Sequence, residues 1–146
     1  MEIKELGHVV LYVSNLERSA DFYKDTLGFK EIARKPGVAA FSSGRTHHEL
    51  LLIEIGQEPT KKGFIETGLY HIGFKIGDTT EELKQAYKEL KAHGVHIVGM
   101  SDHAVTHSLY ILDPDGNELE LYADVSDEWK ENGEAVVSPA RPLNLE

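Results

Sequence analysis

An internal repeat constrains this chain more than any other feature, because a doubled supersecondary unit admits few architectures. Gly7-His8-Val9-Val10-Leu11-Tyr12-Val13 reads as a strand. Ser14-Asn15-Leu16-Glu17 then has the form of a capping box, with a hydroxyl at the helix N-cap and a glutamate three residues on. Leu16, Ala20, Tyr23 and Leu27 recur at helical spacing until Gly28 stops the helix. The same grammar returns in Tyr70-His71-Ile72-Gly73-Phe74-Lys75-Ile76, in Thr79-Thr80-Glu81-Glu82, in the stripe Leu83, Ala86, Tyr87 and Leu90, and in the stop at Gly94. Cap and glycine are 14 residues apart in the first copy (Ser14 to Gly28) and 15 in the second (Thr79 to Gly94). Three short strand-like runs follow each helix, near 29–34, 38–42 and 48–55, then near 95–99, 107–112 and 117–123. Asp113-Pro114-Asp115-Gly116 is a turn, with Pro suited to its second position and Gly to its fourth.

Two βαβββ modules result, about 1–55 and 69–123, in one domain over 1–123, and the class is α+β. Residues 56–68, with Gly56, Pro59 and Gly63, read as the linker. The segment 124–146 carries Gly133, Pro139 and Pro142 and little periodicity. It is expected to run extended over the surface or to be partly disordered, and no role is assigned to it.

Fifteen basic against 25 acidic side chains leave a formal charge of −10, which argues against nucleic acid or an anionic membrane surface as partner. With no cysteine, disulfides, thiolate catalysis and Cys-based zinc sites are excluded. No apolar run is long enough to span a bilayer, and Met-Glu-Ile-Lys-Glu-Leu has no apolar signal core, so a cytoplasmic protein is expected.

Side chains alternate across a strand. Val9, Leu11 and Val13 should pack on the helix, leaving His8, Val10 and Tyr12 on the other face. In the repeat Ile72, Phe74 and Ile76 face the helix, while His71 and Gly73 point away. In the last strand Leu119 and Leu121 face the core, and Glu118, Glu120 and Tyr122 face the opposite side. The histidines therefore occupy matching positions, and if the sheets curve into one mixed surface around a metal site, His8, His71 and Glu120 converge. Two imidazoles and one carboxylate leave three octahedral positions open, which suits Fe(II) or Mn(II). Taken singly, each of the three reads as an ordinary strand histidine or a solvated edge glutamate; the matching across the repeat is what argues for a centre.

His47-His48 opens the apolar run Leu50-Leu51-Leu52-Ile53; an imidazole there can act as acid or base near neutral pH, or the two can be a surface pair. His103 and His107 precede or begin the strand with Tyr110, which can donate to a bound oxygen or simply be a β-favouring aromatic. His93 and His96 flank the helix stop, where a cation is favourable in its own right.

At these residues the chain resembles the vicinal oxygen chelate superfamily, over roughly residues 5–123, and within it the type I extradiol ring-cleaving dioxygenases. The marks are Gly7-His8-Val9-Val10, Arg45-Thr46-His47-His48-Glu49-Leu50, Tyr70-His71-Ile72-Gly73-Phe74, Ser101-Asp102-His103, and Tyr110 ten residues before Glu120. The resemblance implies metal ligands at His8, His71 and Glu120, an acid–base histidine at His48, a substrate-contacting tyrosine at Tyr110 and a second-sphere histidine at His103, with His107 as its rival. It implies an aromatic diol and O₂ as substrates and a homo-oligomer. The best-known ring-cleaving enzymes carry four modules where this chain has two. Glyoxalase-type isomerases, epimerases and fosfomycin-resistance-type thiol transferases share the scaffold, as do non-catalytic resistance proteins that sequester a drug and lack the metal triad. Many of the isomerases add a fourth carboxylate ligand, whose position falls here on Leu51.

Overall fold

The computed structural model describes residues 1–59 and 67–146, so much of the expected linker lies outside the described residues. The chain divides into two units, Met1–Gly63 and Phe64–Glu146.

The first unit runs β1 (Val9–Val13), α1 (Leu16–Asp21), a π-helical turn over Phe22–Thr26, β2 (Lys30–Lys35), β3 (Val38–Ser42) and β4 (Leu50–Glu54). Its strands lie in the order β1-β4-β3-β2, with β1 parallel to β4 and the other pairs antiparallel. Alternation along the strands decides which side is covered. Leu11, Val13, Phe41, Leu50 and Leu52 are buried with Leu16, Ala20 and Tyr23 of the helical segment, whereas Val10 and Tyr12 are exposed. The helix is capped by Asn15 rather than by Ser14: the Asn15 carboxamide oxygen accepts from the Arg18 amide at 2.8 Å. Ser14 accepts instead from the Arg18 guanidinium at 2.6 Å, and Glu17 pairs with Arg34 in place of closing a capping box. Asparagine and serine are nearly equal as caps, so local sequence alone does not choose between neighbours. Gly28 ends the helical segment at φ 78°, a left-handed conformation that costs glycine little.

The second unit runs β5 (His71–Gly77), α2 (Thr80–Ala92), β6 (Ile97–Asp102), β7 (Thr106–Leu112), β8 (Glu118–Asp124) and β9 (Arg141–Pro142). Its order, β5-β8-β7-β6-β9, repeats that of the first unit and adds one short edge strand. Here the capping box forms. Thr79 Oγ1 accepts from the Glu82 amide at 3.3 Å, and the Glu82 carboxylate accepts from Thr79 Oγ1 at 2.8 Å and from the Asp78 amide at 2.9 Å. Leu83, Tyr87 and Leu90 of α2 are buried with Ile72, Leu109, Ile111, Leu119 and Leu121 of the sheet. Ile76, expected on the helix side, is exposed, because the β5–β8 pairing shifts register between Lys75 and Gly77 and breaks the two-residue period.

The segment after β8 is folded, not extended or disordered. Two 3₁₀ turns, Glu128–Lys130 and Gly133–Val137, precede β9, which pairs Arg141 with Asp102 and Pro142 with Ser101 on the free edge of β6. Ala135 and Leu145 are buried, and Tyr87 Oη donates to Glu146 at 3.3 Å. Burying one leucine contributes roughly 1.5–3 kcal/mol. Single anchors of this kind leave no periodic trace in a sequence. No helix among the described residues is long and apolar enough to cross a membrane.

Candidate functional site

The first unit gathers three of the eight histidines. His8 lies just before β1, and the segment ahead of it, which has no regular secondary structure, is held by Arg45. The Arg45 guanidinium donates to the carbonyls of Leu6 and Gly7 at 3.1 and 3.0 Å and pairs with Glu5 at 3.0 Å. Arg45 sits in a loop whose conformation is set by Glu49. That carboxylate accepts from the amides of Ser43, Arg45 and Thr46 at 2.9, 3.2 and 3.3 Å and from the Ser43 hydroxyl at 3.0 Å. Burial resists ionisation of Glu49, and these hydrogen bonds more than offset it, holding the carboxyl below its usual range. The loop brings the His48 ring to 4.5 Å from that of His8, and His47 to 6.3 Å. The Nδ1 atoms of His47 and His48 lie 2.6 Å apart, a hydrogen bond whose donor is set by the tautomers of the two rings. Desolvation first, then repulsion from His47 and His8, keeps the His48 pKa below that of a free imidazole.

The second unit brings His71, Glu120, Tyr110 and His103 into one cleft of about 490 Å³. His71 begins β5, and its Nε2 lies 3.1 Å from Glu120 Oε2 on the neighbouring strand β8. Tyr110 on β7 is directly opposite Glu120 in the β7–β8 register and donates to Glu120 Oε1 at 3.3 Å. Having given its one proton to the carboxylate, the phenol oxygen accepts from His103 Nε2 at 2.8 Å. Burial, then the charge and hydrogen bond of Glu120, push the Tyr110 pKa up to about 12, so it remains a donor. His107 does not reach this chain: its Nδ1 pairs with Thr80 Oγ1 at 2.8 Å.

His103 owes its position to a tight turn. Ala104 has φ 67°, unusual for a residue with a Cβ, and Val105 N donates to His103 O at 2.8 Å across it, a γ-turn. Asp102 Oδ1 holds the turn by accepting from Ala104 N at 2.7 Å. Replacing alanine by glycine in ordinary backbone loses stability, about 0.5–1 kcal/mol. Ala104→Gly is expected to do the reverse, gaining up to about 1 kcal/mol in urea unfolding because the left-handed strain is relieved. A loss of stability would show that the turn is not strained.

The remaining walls of the cleft are Val105, Thr106, Tyr122 and Asp124, with Trp129 and Val136 from the C-terminal segment. Trp129 and Val136 carry no periodic or motif signal that would mark them as part of a site. The only available signal was that Trp129 is the single tryptophan of the chain.

The registers also align the two units. β1 pairs Val9 with Leu50 and Val10 with Leu51; β5 pairs Ile72 with Leu119 and Gly73 with Glu120. His8 thus corresponds to His71, Glu49 to Glu118, and Leu51 to Glu120.

The family model described as the Glyoxalase/Bleomycin resistance protein/Dioxygenase superfamily matches residues 5–121. The chain belongs to this superfamily. Catechol 2,3-dioxygenase of Bacillus subtilis is 36% identical over 123 residues, 84% of this chain and 42% of that one. The chain therefore spans less than half the length of that relative. Metallothiol transferase FosB of Staphylococcus haemolyticus is 32% identical over 122 residues, 82% of this chain and 84% of that protein. Among solved structures, a glyoxalase/dioxygenase of Nostoc punctiforme shares the fold, with a TM-score of 0.70 at 22% identity over 84% of this chain and 92% of that one.

Dioxygenases of this superfamily are metalloenzymes, and two side chains of the cleft have the spacing of donors to one ion. Two donors at right angles, each about 2.1 Å from one ion, lie about 3 Å apart, which is the spacing of His71 Nε2 and Glu120 Oε2. His71 Nδ1 is buried without a hydrogen bond, and Glu118 Oε1, 3.9 Å away, is the carboxylate on its side of the ring. Metal-bound imidazoles commonly give their second N–H to such a group. Among the described residues, no three His, Cys, Asp or Glu side chains come together in a group that could hold a metal ion, so His71 and Glu120 stand as a pair of donors.

Proposed function

We propose that the chain is an extradiol ring-cleaving dioxygenase that opens a catechol-like aromatic diol with O₂. The observation that carries this reading is the hydrogen-bonded chain His103–Tyr110–Glu120 beside His71, in a cleft also lined by the aromatic and aliphatic side chains Tyr122, Trp129, Val105 and Val136, with Thr106 and Asp124. An aromatic ring with two adjacent hydroxyls on one edge offers both kinds of surface that such a lining can meet. The apolar Leu51, where the repeat would set a carboxylate as fourth donor, also favours a three-donor centre. The ligand set is His71 and Glu120, with His8, the repeat counterpart of His71, as third donor.

Bound Fe(II) or Mn(II) supplies Lewis acidity to the two substrate oxygens and a path for electrons to O₂. The protein's own contribution is proton handling and hydrogen bonding. In the tautomer whose Nδ1–H donates to His47, His48 presents the lone pair of Nε2 and takes the proton of one substrate hydroxyl. Returned to an oxygen later in the reaction, that proton leaves the enzyme unchanged. Tyr110, held protonated by burial and Glu120, turns its O–H toward oxygen charge as it develops, and His103 supports the phenol from behind.

Oxygen uptake by anaerobically purified, iron- or manganese-loaded protein tests the reading. Supplied with a panel of catechols, it should consume one O₂ per diol and form a yellow ring-opened product. A second reading, thiol transfer, is favoured by one observation: the chain covers 84% of FosB but only 42% of the dioxygenase. Transfer of a low-molecular-weight thiol to fosfomycin without oxygen uptake would replace the first reading by the second.

A further inference from the structure

We propose that the C-terminal segment forms the recognition wall for the aryl part of the substrate, with Trp129 and Val136 as the residues that select an aromatic ring. The proposal rests on the cleft being the substrate site.

His71, His103, Tyr110 and Glu120, with Thr106 and Asp124, bring polar atoms to the cleft, while Tyr122, Val105, Trp129 and Val136 bring apolar surface to it. Two of those four come from after β8. Trp129 is 46% exposed and Val136 is 55% exposed, although both line the cleft. Large apolar side chains left half open beside polar catalytic groups are surface that a ligand can cover.

The wall is held where it is. Ala135, next to Val136, is buried, and Leu145 is 1% exposed. β9 is hydrogen-bonded to β6, and the amides of Val125 and Ser126 both donate to Val105 O, at 2.9 and 3.3 Å. Val105 itself lines the cleft. The Lys130 ammonium lies 5.8 Å from the Trp129 ring centroid, a cation–π contact on one face of the indole. An aromatic ligand gains stacking or edge contacts against such a ring beyond the area it buries, and an aliphatic one does not.

Because Trp129 is the only tryptophan, its emission reports on this wall alone. The test uses the full chain loaded with Mn(II) under argon, so that binding is read without turnover. Catechol and 4-tert-butylcatechol should shift or quench Trp129 emission. By calorimetry, Trp129→Ala should bind catechol roughly tenfold more weakly, and Val136→Ala should weaken 4-tert-butylcatechol severalfold. Trp129→Phe should bind catechol nearly as the unaltered chain does. Acetohydroxamate, a chelator with two adjacent oxygens and no ring, should bind the unaltered chain and Trp129→Ala equally. Equal catechol affinity in Trp129→Ala overturns the proposal. So does a parallel loss of hydroxamate binding, which would mark a structural role, or a failure of catechol to bind the unaltered chain. The expected binding pattern with no oxygen uptake in air would instead leave the wall standing and overturn ring cleavage.

Discussion

His71→Ala is expected to lose both its metal and its oxygen uptake while keeping its fold. The imidazole opens β5 at a partly exposed position, and the β5–β8 ladder is made by backbone groups that alanine retains. Thermal unfolding should therefore change little. The site changes a great deal, because Glu120 Oε2 loses the imidazole 3.1 Å away and the centre loses one of three proposed donors. Even outer partners of metal ligands are worth about 10–100-fold in affinity, so removal of a ligand should exceed about 100-fold. Elemental analysis after dialysis against a weak chelator reads this directly. Full iron or manganese retained by His71→Ala would remove the residue from the centre and take the proposed chemistry with it.

His48→Ala separates the proton chemistry from the metal. His48 is next to His8 but is not in the proposed donor set, and the loop bearing it is shaped by Glu49, whose hydrogen bonds do not involve the imidazole. The variant should keep its metal and bind catechol, yet turn over about 10²–10⁴-fold more slowly, the usual contribution of a positioned acid–base group. Unchanged turnover would dismiss His48 from the mechanism. Loss of metal would make it a ligand instead.

Much of the fold was legible because its determinants are local. Alternation separated Leu11 and Val13 from Val10 and Tyr12 without reference to any neighbour, and Gly28 and Gly94 take the positive φ that ends each helical segment. Where two local solutions are nearly equal in energy, sequence leaves the boundary uncertain by a residue, as with Asn15 and Ser14. Ile76 departs from the alternation because a register shift is a property of two strands, not of one.

The chain by itself determined a doubled βαβββ grammar and placed His8 and His71 at matching positions, since both follow from strand period and helix punctuation. Only the tertiary structure decided that His103 rather than His107 meets Tyr110, through a γ-turn at Ala104. It also decided that a segment without periodicity returns to line the cleft with Trp129 and Val136. The physical reason is the range of the interactions. Caps and alternation act over a few residues and are written into each stretch of chain. A wall built on buried Ala135 and Leu145 depends on contacts between distant residues, which no window of sequence contains.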